Sequence, residues 1–120
     1  WSLEGERIWV DGGEIERAAA EQGLYPDNRS ASKGIEIEGV ATARLDGEDY
    51  AFVTSERGSF MAIYDITAPT TPRLVQLLPT GIGPESVLAI ESRGLIVTSS
   101  EETGEIRLFR HDPLPSAGRP

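Results

Sequence analysis

The chain contains no cysteine, which excludes disulfides, thiolate metal sites and thiol catalysis. It has one histidine, His111, so a His-pair metal site or a Ser-His catalytic pair confined to this chain is excluded too. Long apolar runs are missing. Nothing approaches the ~20 residues of a membrane span, and no charged-then-apolar leader opens the sequence. Cations are scarce, with 11 Lys and Arg against 20 Asp and Glu for a net charge of −9. A nucleic-acid partner therefore runs against electrostatics. The acids suit either divalent cations or a solvated surface in a salty medium. Hydrophobic residues make up only 38%, which is little for a self-contained core. Turn formers are plentiful instead: 13 Gly and 8 Pro in 120 residues.

Those punctuators divide the chain. Arg7-Ile8-Trp9-Val10 alternates as a short leading strand, with Trp1 and Trp9 expected in a core. Residues 14–22 read as a short helix. Acids occupy its first turn, alanines its centre, and Gly23 stops it. Ile15 is its only large apolar residue, so this helix serves as a connector. Strands are expected at 35–45, 50–55, 60–66, 73–78, 86–91, 94–99 and 105–111, separated by Gly- and Pro-bearing breaks. Such spacing predicts an all-β sandwich, barrel or propeller. Residues 113–120, with three prolines and a glycine, read as a flexible tail or linker.

An internal repeat selects among these architectures. Glu38-Gly39-Val40 recurs as Glu85-Ser86-Val87, Val53-Thr54-Ser55 as Val97-Thr98-Ser99, and Ile63-Tyr64 as Leu108-Phe109. A period in the mid-forties with about four strands per unit is the size of a propeller blade. Blades bury their faces only against neighbours. The expectation is therefore about two four-stranded blades and a leading strand and helix, forming a fragment of a larger propeller or part of an assembly. In this division residues 1–34 lead in, 35–80 form one blade, and 81–112 form a second, partial or whole. The ring would be completed by the remaining blades or by another copy of the chain.

The chemistry concentrates at 27–40, where Arg29 and Lys33 precede Glu36 and Glu38. In an extended strand the two glutamates share one face and repel unless a cation lies between them. Glu38 and its counterpart Glu85, with Glu36, are the candidate metal ligands, and Ca²⁺ is the hard ion suited to such oxygens. The structural alternative is that each acid pairs with a nearby cation. Arg29 and Lys33 are candidate anion ligands, by guanidinium fork and point charge, or simply neutralise Glu36 and Glu38. No nucleophile constellation accompanies them. The acidic turns beginning at Glu56 and Glu101 are either solvated or set acids at one height on successive blades.

The run Asp27-Asn28-Arg29-Ser30, Lys33-Gly34, Glu36, Glu38-Gly39-Val40 resembles the "N-x-R-S-x-x-K-G-P-E-P-E-G-V" segment of choice-of-anchor I domain proteins. That group includes mesenchyme-specific cell-surface glycoproteins and proteins labelled alkaline phosphatase. Likeness continues through Tyr50-Ala51-Phe52-Val53, Glu56-Arg57-Gly58, Tyr64-Asp65-Ile66-Thr67 and Gly83-Pro84-Glu85, covering nearly the whole chain. The resemblance implies a secreted, periplasmic or surface-attached β-propeller of which this is the C-terminal portion, distantly similar to phytase-like and esterase-like propellers. Where the family segment has two prolines this chain has Ile35 and Ile37, and Ser86 replaces a glycine. Two functions follow as expectations. One is an extracellular module that binds a divalent cation or a surface or protein partner and is not catalytic in isolation. The other is part of a phosphatase or phytase-like esterase whose active site needs further blades.

Overall fold

Asp46 and Gly47 both take left-handed backbone angles, φ 51° and 84°, the geometry of a tight hairpin turn whose twist matches the flanking strands. They join β1 (Ile37–Leu45) to β2 (Glu48–Ser55) in antiparallel register. The computed structural model describes residues 1–112, so the expected flexible tail at 113–120 lies outside the described residues. β3 (Phe60–Asp65) and β4 (Arg73–Pro79) complete a four-stranded sheet in the order β1-β2-β3-β4. A second sheet, β5 (Pro84–Ile90), β6 (Leu95–Ser100) and β7 (Glu105–Arg110), has three strands in the order β5-β6-β7. The described residues are thus all-β, two open antiparallel sheets and one short α-helix, an arrangement consistent with a propeller fragment.

The three strands of the second sheet reproduce the first three of the first. Each sheet opens with a bulged step, at Ile37/Gly39 and at Pro84/Ser86. In each, the N–H of the residue after the second strand returns to the loop ahead of the first: Glu56 to the Glu36 carbonyl, Glu101 to the Gly83 carbonyl, both at 2.8 Å.

Alternation divides the core in two. One face of the first sheet sets Ala43, Phe52 and Met61 against Ile96, Val87, Ala89 and Phe109 of the second. The other face, with Phe60, Ala62, Tyr64 and Leu77, is covered by Ile15 and Ala19 of α1 (Glu14–Glu21) and by Ile35. Phe60, Met61 and Ala62 are fully buried, placing β3 at the centre between helix and second sheet. Burying such side chains contributes about 1.5–3 kcal/mol each for the larger ones.

Two expectations need correction. Residues 7–10 form no strand, although Arg7-Ile8-Trp9-Val10 alternates. Trp9 instead packs edge-on against Tyr64, ring centroids 5.8 Å apart, while Ile8 and Val10 stay exposed. Trp1 is exposed rather than in the core. What fixes this segment is Asp11. Its carboxylate accepts the N–H groups of Gly13, Glu14 and Ile15 and the Tyr64 hydroxyl. One side chain thereby caps the helix, whose first N–H groups otherwise lack partners, and ties it to β3.

Candidate functional site

Residues 24–36 wind tightly ahead of β1. A turn of 3-10 helix at Asp27–Arg29 is followed by N–H groups of Ser32 and Gly34 returning to the Arg29 carbonyl. Gly34 has φ 57° and Glu36 φ 50°. A glutamate in this left-handed region is uncommon and costs energy unless its surroundings over-determine it. Here they do. Lys33 Nζ donates to Glu36 Oε1 at 2.7 Å, and Arg29 Nη2 and Arg57 Nε donate to Oε2 at 3.2 and 3.3 Å. In the second sheet the same backbone position is Gly83, also left-handed at φ 69°. The first sheet therefore carries a charged anchor where the second has only a glycine.

Ile35, one of the residues standing in place of a family proline, is 3% exposed. Its carbonyl accepts from Ser55 Oγ at 2.6 Å and from the Arg57 N–H at 3.2 Å. Burial and two hydrogen bonds thus hold the loop without the ring constraint. Ile37, at the other proline position, is half exposed. Strand alternation was expected to set Glu36 and Glu38 on one face. It does not apply, because Glu36 is left-handed and the strand begins at Ile37 with a bulge. The two carboxylates meet all the same. Oxygens of Glu36, Glu38 and Glu56 lie within 4.8 Å of one another.

The second sheet extends this group. Glu85 approaches Glu101, and the charges of Glu38 and Glu56 reach it as well. Glu38 and Glu85 hold equivalent positions as the second residues of the inner strands β1 and β5, as Glu56 and Glu101 do just after β2 and β6. Arg57 bridges the two sheets. It pairs with Glu36 and Glu56 on its own side and with Glu102 across the gap at 3.5 Å. Six carboxylates, Glu36, Glu38, Glu56, Glu85, Glu101 and Glu102, therefore gather around three cations, Arg29, Lys33 and Arg57, leaving a surplus of three negative charges.

That surplus is unevenly distributed. Glu36 titrates below the usual carboxylate range, chiefly through its hydrogen bond from Lys33, with Arg57 and Arg29 adding to it against the opposing effect of burial. Lys33 is raised by the same bond. Glu85 moves the other way, raised by its hydrogen bond with Glu101, by burial and by the neighbouring carboxylates. Burial first, then Glu36 and Glu38, raise Glu56 in spite of Arg57. Glu36 is therefore neutralised and Glu56 shares Arg57, whereas Glu38, Glu85 and Glu101 have no cation within salt-bridge distance among the described residues. Hard oxygen donors in that arrangement could hold Ca²⁺, which takes 6–8 oxygens, or Mg²⁺ with part of its water shell.

Arg29 and Lys33, the candidate anion ligands, both lie on Glu36. An anion binding there would have to displace that carboxylate. His111 sits at the far end of the strands, its Nε2 2.9 Å from Asp46 Oδ2, and takes no part. Arg57 is the functional residue the sequence reading passed over. Its signal was the Glu-Arg-Gly turn aligned with Glu101-Glu102, which places opposite charges at equivalent positions of successive sheets.

The sequence profile of the choice-of-anchor I domain matches residues 1–69, which span the helix, the wound loop, Glu36, Glu38 and Arg57. No curated protein and no solved structure matches the chain.

Proposed function

The chain belongs to the choice-of-anchor I domain family, and on that premise we propose that it is an extracellular or cell-surface β-propeller module that binds a divalent cation. The ligands are Glu38, Glu56, Glu85 and Glu101, with Ca²⁺ as the ion. Glu36 fixes the loop that presents them. The module has no chemistry of its own in isolation, and further blades or another copy of the chain would complete the ring.

One observation carries this reading. Acids at equivalent positions of two successive sheets converge, and two of them bind protons more tightly than a free carboxylate, Glu85 chiefly through its hydrogen bond with Glu101 and Glu56 through burial in spite of Arg57. A site in which carboxylates raise one another's proton affinity is one that a divalent ion relieves. Isothermal titration with CaCl₂ tests it. The account expects saturable binding to the intact chain and loss of it in Glu85→Gln and Glu38→Gln, with folding retained by circular dichroism. Absence of binding contradicts it. So does calcium-dependent phosphomonoester hydrolysis abolished by the same two substitutions, which would favour the esterase.

A further inference from the structure

Asp-Gly occurs twice in the sequence, at Asp11-Gly12 and at Asp46-Gly47. In this dipeptide the glycine has no side chain to keep its backbone nitrogen from the carboxyl carbon of the aspartate before it. The fold treats the two copies differently. Both carboxylate oxygens of Asp11 are taken up, by the N–H groups of Gly13, Glu14 and Ile15 and by the Tyr64 hydroxyl. That carboxylate is turned toward the helix and held there.

Asp46 is under no such restraint. Its side chain is 60% exposed at the two-residue turn between β1 and β2. The Gly47 N–H has no hydrogen-bond partner among the described residues. A Cβ at Gly47 would meet nothing within 4 Å, so no packed group resists rotation of the Asp46–Gly47 peptide. Asp46 also sits at φ 51°, a left-handed angle that costs a non-glycine residue energy to hold. The polar contact on its carboxyl is His111 Nε2, 2.9 Å from Oδ2.

We propose that Asp46 is a site of spontaneous backbone isomerisation, with His111 as the proton donor that sets its rate. The Gly47 nitrogen bonds to Cγ of Asp46 and gives up its proton, and the Cγ–Oδ2 bond breaks. Oδ2 departs as water, carrying that proton and a second one from the His111 imidazolium, which recovers its own from solvent. A five-membered succinimide is left. Water then adds to the Asp46 backbone carbonyl and breaks its bond to Gly47, so the chain runs on through the side-chain carboxyl. Composition is unchanged, but the backbone gains one atom. A turn built on two matched left-handed residues cannot keep its register with that atom inserted. The carboxylate site lies at the opposite end of the strands, so either reading can fail without the other.

The test is prolonged incubation of the intact chain in warm neutral buffer, followed by trypsin digestion. Peptides 8–17 and 45–57 carry the two sites, and electron-transfer fragmentation tells aspartate from isoaspartate at each position. Isoaspartate should accumulate at position 46 and stay near background at position 11. In urea, where both carboxyls are released, the two should convert alike. His111→Gln and His111→Asn keep a hydrogen-bonding side chain that cannot give up a proton. Each should slow conversion at position 46 roughly tenfold, short of the ~10²-fold of an enclosed general acid. Background conversion at position 11 shows that these variants stay folded. No isoaspartate at position 46, equal amounts at 46 and 11 in the folded chain, or an unchanged rate in both histidine variants overturns the proposal.

Discussion

At the scale of single residues, Glu36 and Glu85 carry opposite signs. Glu36 binds its proton less tightly in the fold than in the unfolded chain. Its stabilisation is present above the ordinary carboxylate range and lost as pH falls through its depressed value. Glu36→Gln should therefore lower the melting temperature at pH 7 and flatten the acid limb of the stability curve, both measurable by calorimetry. For Glu85 the folded state binds the proton more tightly, so ionisation weakens the fold as pH rises above the ordinary range. Without added cation, Glu85→Gln should raise the melting temperature at pH 7, with the gain vanishing as pH falls into the carboxylate range. Melting curves of the variant against pH would expose a wrong sign at once. Thr54 offers a third residue-level case. Its hydroxyl is fully buried and has no hydrogen-bond partner, and an unmatched buried hydroxyl is costly. Thr54→Val should stabilise by about 1 kcal/mol, read from chemical denaturation.

At the scale of elements, the inner strands touch at Gly39. A Cβ placed there would lie 2.9 Å from Thr54 Oγ1 and 3.4 Å from the Ser86 Cα, so β1 and β5 pack with backbone against backbone. Ser86 holds the equivalent place in the second sheet, on the face turned away from the first, and its hydroxyl lies 2.8 Å from Ser99 Oγ. The same position thus needs glycine in one sheet and tolerates serine in the other, according to what faces it. Gly39→Ala should destabilise by about 1–3 kcal/mol through overpacking, and by spreading the sheets it should also weaken any cation binding. Urea denaturation of the variant beside calcium titration checks both. The seven strands were legible because Gly, Pro and Asp-Gly punctuation brackets short apolar runs whose alternation matches their buried faces. The leading strand was not. Its alternation is real, but Trp9 is drawn onto Tyr64 and Asp11 onto the helix start, so tertiary contacts override the local pattern. Glu36 and Glu38 do lie close together, but not through the strand alternation expected of them, since a left-handed residue does not follow strand period. Arg57 escaped notice because a turn arginine is ordinary until the sheet across the gap is known to bring Glu102 to it.

At the scale of the whole molecule, the net charge of −9 is not spread evenly. One end of the inner strands concentrates six carboxylates around three cations, and the surplus spans the junction between the sheets. A cation bound there would tie the sheets together as well as neutralise them, and ligand binding to the folded state alone raises stability by mass action. The most direct measurement is the melting temperature with and without 5–10 mM CaCl₂, on the order of that used to saturate weak extracellular sites, at about pH 7 and about pH 4. The account predicts a clear rise at the higher pH that shrinks at the lower one, where protons occupy the same oxygens, and that disappears in Glu85→Gln. An unchanged melting temperature at neutral pH, or a rise of equal size in Glu85→Gln, would contradict it.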